Sequence, residues 1–134
     1  MRVFADAFFY VALINRRDGH HGRVRAWVDA FEGEIVTTQW VLTEVADAFA
    51  ESHARRGLRK AFDALAEHAA TRIIPVSPED FRRGLELYDA RPDKAWSLTD
   101  CISFVIMEEE GLTDALTGDR HFEQAGFRAL LTDS

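Results

Sequence analysis

Five short β-type runs, each separated from the next by helical or turn-like stretches, leave this chain few folds to choose from. Val3–Asp6, Glu34–Thr38, Arg72–Val76, Ala115–Thr117 and Arg128–Leu131 read as strands. Ala7–Asn15 and His20–Phe31 read as helices between the first two, the second with Val24, Trp27, Val28 and Phe31 at helical spacing. Gln39–Arg55 and Leu58–Ala70 read as helices broken at Gly57. Ser77 is a good N-cap and Pro78 suits the first turn of a helix to Ala90; Ser97–Glu110 is a helix stopped by Gly111, and Asp119–Gln124 is a helical turn. Strands joined through helices imply right-handed crossovers, hence a mainly parallel sheet with helices on both sides. The whole of 1–134 reads as one domain, long enough for a real core.

In such sheets the active crevice lies at the carboxyl ends of the strands. Four acids gather there by sequence position. Asp6 is the only charge in the apolar run from Val3 to Ile14. Glu44 interrupts an apolar stripe with Val41, Val45 and Ala48. Asp100 opens an amphipathic helix carrying Leu98, Cys101, Ile102, Val105 and Ile106, and Asp119 follows a strand and Gly118. A buried carboxylate is costly unless a cation or hydrogen-bond donors compensate it. A hard divalent metal held by oxygen ligands is one compensator.

Each acid also has a structural explanation. Asp6 and Asp119 are suited to cap the helices that follow them. Ser97 and Asp100 form a capping-box pattern. Glu44 is open to an ion pair with Arg2 or Arg120. Their joint placement at one rim is what favours chemistry.

Composition narrows the classes further. A net charge of −7 argues against a general nucleic-acid-coating protein, though not against a nuclease with an acidic metal site. The single cysteine, Cys101, excludes an internal disulfide and any multi-cysteine zinc site, and lies on the apolar face of its helix. A reducing cytoplasm fits, and no apolar stretch reaches the length of a membrane span. His20, His21, His53, His68 and His121 lack metal-ligand spacing and read as surface or capping residues. No nucleophile elbow, phosphate-binding loop or dinucleotide fingerprint is present. The basic segment His53–Lys60 reads as a solvated helix junction, with a phosphate-contacting patch as the alternative.

Val3-Phe4-Ala5-Asp6, Thr43-Glu44-Val45, Trp96-Ser97-Leu98-Thr99-Asp100-Cys101-Ile102-Ser103-Phe104 and Ala115-Leu116-Thr117-Gly118-Asp119-Arg120-His121-Phe122, with Gly126-Phe127 beyond, resemble the PIN-domain superfamily. The nearest likeness is to the VapC-type toxin ribonucleases of bacterial toxin–antitoxin pairs, and it runs from about Arg2 to Leu131. The resemblance implies a three-layer α/β/α fold with a central parallel sheet. It implies a Mg²⁺- or Mn²⁺-dependent endoribonuclease whose four acids are Asp6, Glu44, Asp100 and Asp119, with Thr117 at a hydroxyl position beside the last. Such an enzyme hydrolyses RNA phosphodiesters with a metal-activated water and leaves a 5′-phosphate. The chain departs from the family where Ala7-Phe8 follows the first acid, since Ser or Thr is usual there.

The alternative is a non-catalytic PIN-like module that binds RNA or protein. A phosphoacceptor receiver domain would need a lysine at the end of a late strand, and Lys60 and Lys94 are not so placed. A haloacid-dehalogenase-like phosphatase would need Asp-x-Asp where this chain has Asp6-Ala7-Phe8.

Three partners are expected: an RNA substrate, a cognate antitoxin and a second copy of the chain. The resemblance suggests an antitoxin that sends an arginine into the acidic pocket and lays a helix along an apolar groove. The large apolar groups Trp27, Phe31, Trp40 and Phe62 suggest an exposed patch for a homodimer.

Overall fold

The computed structural model describes residues 1–132. Its elements run β1 Arg2–Ala5, α1 Ala7–Ile14, α2 His21–Ala30, β2 Glu34–Thr38, α3 Gln39–Ala48, α4 Arg55–Glu67, β3 Thr71–Ile74, α5 Pro78–Ala90, α6 Leu98–Glu109, β4 Asp114–Leu116, α7 Arg120–Gln124 and β5 Arg128–Ala129. The strands form one sheet in the order β3-β2-β1-β4-β5, and every pairing is parallel.

The order has a consequence for the site. From β1 the chain steps outward to β2 and β3, then crosses back to β4 on the far side of β1. Right-handed crossovers then lay α1–α4 on one face and α5–α7 on the other. The direction of winding reverses beside β1, and the crevice outside the strand ends opens at that point. Val3, Phe4 and Ala5 are fully buried in β1, as a central strand covered on both faces requires. Beneath α6 and α7, Phe104 meets Phe122 and Trp96 edge-on, with ring centroids 4.9 and 5.1 Å apart. Residues Cys101 to Met107 of α6 are all buried. The α5–α6 contact is close because Gly84 has no side chain: a Cβ there would come 2.3 Å from Ile102.

Several sequence expectations shift. The break between the two middle helices falls at Phe49–Ala54, not at Gly57, which lies inside α4 in open space. Arg55 secures this start of α4, its guanidinium donating to the Ala50 carbonyl at 2.9 Å. Trp27, Phe31, Trp40 and Phe62 are packed against the core rather than forming an exposed patch. Trp27 and Phe31 stack on each other at 4.5 Å. The exposed large apolar side chains are elsewhere: Phe81, Leu85 and Tyr88 on α5, with Val76 and Met1. Ala48 is exposed and does not belong to the apolar stripe of α3, which is carried by Val41, Leu42 and Val45.

Candidate active site

The site is built by helix starts. Asp6 follows β1 and caps α1, accepting the Phe9 N–H at 3.5 Å. Asp119 follows β4 and caps α7, accepting the His121 N–H at 2.8 Å. Asp100 is the third residue of α6, where Ser97 and Asp100 exchange bonds in a complete capping box. The capping roles read from the sequence are therefore real. They also aim these carboxylates at one rim, because each helix begins just beyond the strand ends.

Thr117 joins the rim together. Its hydroxyl donates to Asp6 Oδ2 at 2.8 Å and accepts the Asp119 backbone N–H at 2.9 Å. Thr117 is fully buried and Asp6 is 7 % exposed. One hydroxyl thus fixes the innermost acid and the loop that carries the outermost one. Gly118, between them, lets the Phe8 ring lie over the loop: a Cβ at position 118 would sit 2.5 Å from that ring.

The electrostatics are those of carboxylates crowded out of water. Burial pushes Asp6 well above its usual range, and the charges of Asp119 and Asp100 add to the shift against the bonds from Thr117 and Phe9. Burial also raises Glu44, half-buried on α3, and Asp100 adds to it. Asp100 itself is raised by burial and by Asp119, while the Ser97 N–H and His121 pull it down. Asp119 acts on all three of these acids and Asp100 on the other two, so Glu44 shares their neighbourhood. Arg2, one candidate partner for Glu44, is engaged instead with Glu34 and Glu110. Arg120 lies 3.7 Å from Glu123.

His121 is the residue that reading the sequence missed. It was grouped with surface and capping histidines, yet its Nδ1 lies 3.3 Å from Asp100 Oδ2 and 3.3 Å from Asp119 Oδ1. Asp100, Asp119 and His121 can each bring a ligand atom within 4.8 Å of the others, a group able to hold a metal ion. The available signal was its place two residues after Asp119 in the first turn of a helix, and it lay outside every standard histidine motif. Carboxylates with an imidazole suit a divalent cation, and raised carboxyl pKa values are what such a charge would relieve. The residues present fit a metal of that class.

Comparisons with known proteins identify the family and the fold. Residues 3–128 match the family model of the PIN domain. The 23S rRNA-specific endonuclease VapC20 of Mycobacterium tuberculosis H37Rv is 28% identical over 127 residues, spanning 93% of this chain and 95% of that protein. The crystal structure of M. tuberculosis VapC20 superposes with a TM-score of 0.85 at 24% identity, over 93% of this chain and 95% of that one. The VapBC2 structure from Rickettsia felis, bound to a promoter DNA fragment, superposes at 0.66 with 14% identity over 96% and 97%. The α/β/α fold with its parallel sheet is thus that of the VapC structures, and the chain belongs to the PIN-domain family.

Proposed function

We propose that this protein is a metal-dependent endoribonuclease and the toxin of a toxin–antitoxin pair, acting in the cytoplasm. One observation carries the reading: Asp6 and Asp100 lie with Glu44 near Asp119 at the switch point of a parallel sheet, and all three are raised by burial with the charge of Asp119 adding to the shift. Nearly full-length similarity to an endonuclease that acts on 23S rRNA supports it.

Asp100, Asp119 and His121 would hold the metal, with Asp6 and Glu44 beside it. When bound, the cation supplies Lewis-acid chemistry, offsetting the repulsion between an anionic phosphodiester and the carboxylates and stabilising charge on the leaving oxygen. The ion we propose is Mg²⁺ or Mn²⁺, with the nitrogen donor of His121 favouring Mn²⁺. Thr117 holds Asp6 in one orientation through its 2.8 Å bond, so that carboxylate need not reorganise when a charge arrives. Asp6 is too buried to touch solvent freely, so Glu44, half-exposed at the edge, is the group placed to orient an attacking water.

The antitoxin we propose enters the groove lined by Phe9, Leu13, Val28, Ala64 and Leu65, about 360 Å³ in volume between α1, α2 and α4. Structures of VapBC2 and of FitAB bound to DNA share this fold. An arginine of that partner would pair with the rim acids and compete with the metal. The homodimer we propose uses the outer face of α5, where Phe81, Leu85 and Tyr88 are exposed.

The test is Asp100→Asn. The amide keeps an oxygen for the Ser97 N–H, so the capping box survives. Mn²⁺ affinity measured by calorimetry should fall, and cleavage of an RNA panel should drop by about 10³-fold. Undiminished cleavage by a pure, folded variant would remove the assignment. Wild-type protein that binds RNA but never cuts it would favour the non-catalytic module.

A further inference from the structure

The rim that would cut RNA is ringed by negative charge, on a chain whose net charge is −7. Something else must hold a polyanion there. Most arginines are already occupied. Arg2 pairs with Glu34, Arg25 with Asp29, Arg59 with Asp63, Arg72 with Glu110, Arg82 with Glu79 and Glu86, Arg83 with Glu109, and Arg91 with Asp93. Arg16 and Arg17 are both exposed in the α1–α2 turn, and neither has an ion-pair partner among the described residues. Arg55, Arg56 and Arg128 make no ion pair among the described residues either, but Arg16 and Arg17 are adjacent and line one cleft.

These two arginines line a cleft of about 350 Å³ with Ser52, His53 and Ala54 of the α3–α4 turn. The far wall is therefore the start of the basic segment His53–Lys60, within a stretch from Ser52 to Phe62 that contains no acid. The one acid in the near turn, Asp18, is occupied in accepting the His20 N–H at 2.8 Å.

The cleft is connected to the rim by aromatic rings. His20, exposed at the end of the same turn, lies 4.9 Å from Phe8, centroid to centroid. Phe8, half-exposed, lies in turn against Gly118, next to Asp119. Metal-competent acids, an aromatic pair and an unpaired cationic cleft thus follow one another along a single path. That is the sequence of surfaces a single strand requires: bases stack on aromatic faces while arginines follow the phosphates.

We infer that the Phe8–His20 ring pair and the Arg16–Arg17 cleft form a binding track that holds single-stranded RNA leading into the acidic rim. The inference rests on the ribonuclease reading and deepens it. The fit of the Phe8 ring over Gly118 keeps it at the rim. Unpaired bases are required, because a paired base has no free face to give the rings.

The test measures binding of a fluorescein-labelled single-stranded oligoribonucleotide to the full chain in Ca²⁺, beside its cleavage in Mn²⁺. The same sequence closed into a duplex is the comparison probe. The variants are Arg16→Ala with Arg17→Ala, the same pair to Lys, His20→Ala, and Arg128→Ala on the edge strand β5 as control. For the double alanine variant the slope of log affinity against log salt should flatten by about 1.4, at roughly 0.7 per phosphate contact on a single strand. KM should rise about tenfold with kcat unchanged, and the lysine pair should restore most of it. His20→Ala should weaken single-strand binding without altering the salt slope, since it removes a stacking face and no paired charge. Equal binding and salt slope in wild type and the double alanine variant, from a wild type that cleaves, would overturn the track and leave the ribonuclease reading intact. A wild type that neither binds nor cleaves any RNA would overturn the ribonuclease reading itself.

Discussion

The acidic rim and the outer face of α5 break the usual rule of burial in opposite directions. At the rim, Asp6 is 7 % exposed and three carboxyls are pushed up by loss of water. On α5, Phe81, Leu85 and Tyr88 are 45, 45 and 50 % exposed. Between those apolar groups, Arg82 bridges Glu79 and Glu86 in ion pairs that water largely screens. The rim spends stability to hold charge where a cation is wanted. The α5 face leaves apolar area unburied, as the second copy we propose there would require. Neither departure stabilises the isolated chain, so each points to something the chain meets.

The largest expected effect tests the α5 half of that contrast. If the face is an isologous dimer contact, each substitution there acts twice. Leu85→Asp should weaken self-association by about 10²-fold or more, read by light scattering across a dilution series. Its melting temperature as a monomer should change little, because the side chain already faces solvent. Wild type that is monomeric at all concentrations would show that the exposed stripe serves no second copy.

How this contrast appears in sequence is instructive. The parallel α/β layout was legible because the apolar period switches from strand to helix at almost every element. The acid at position 6 was legible because it alone interrupts the apolar run to Ile14. The exposed apolar face was not. Trp27 and Phe31 looked like surplus apolar bulk on outer helices, but they stack on each other and close the edge of the core. Phe81, Leu85 and Tyr88 had an ordinary amphipathic spacing, and only the tertiary structure shows which face α5 turns outward. Gly57 misled for a similar reason. A glycine costs a helix about 1 kcal/mol, which the packing of Leu58 beneath α4 outweighs. His121 escaped because its meaning depends on Asp100, twenty-one residues away in sequence and 3.3 Å away in space.

A smaller effect sharpens the rim half. Asp6, Glu44 and Asp100 have folded-state pKa values above their unfolded values, chiefly through burial. The folded chain therefore holds extra protons. Stability from these groups is present below the unfolded values of 3.8 and 4.5 and is lost as pH rises through the folded values. Metal-free protein should melt lower as pH climbs from 4.5 towards neutrality, by roughly 3–5 °C for each kcal/mol lost. Saturating Mn²⁺ should flatten that slope, since a cation compensates the ionised carboxylates, and Asp100→Asn should reduce it without metal. Asp93, held down to about 2 by Arg91, contributes its change at more acid pH and leaves this window clear. A calorimetric scan showing the same pH slope with and without Mn²⁺ would sever the link between buried charge and metal.

The smallest effect concerns the departure from the family at Ala7. The family resemblance implies a hydroxyl after the first acid, and its loss would matter if nothing else oriented Asp6. Here Thr117 does so from across the sheet, donating to Asp6 at 2.8 Å while accepting the Asp119 N–H at 2.9 Å. Ala7 is itself 7 % exposed, so a hydroxyl added there enters a packed position. Ala7→Ser should therefore change cleavage by less than about threefold, within what a small buried polar substitution does to its surroundings. Thr117→Val keeps the shape but removes both bonds, leaving Asp6 Oδ2 without its donor and a loop without its tie. Cleavage and Mn²⁺ affinity should then fall by about 10–100-fold, the usual cost of losing a group that orients a metal ligand. The two substitutions together decide where Asp6 gets its orientation. If Ala7→Ser raises activity tenfold while Thr117→Val is silent, the rim of this chain is under-constrained at position 7 and the Thr117 bridge is only packing.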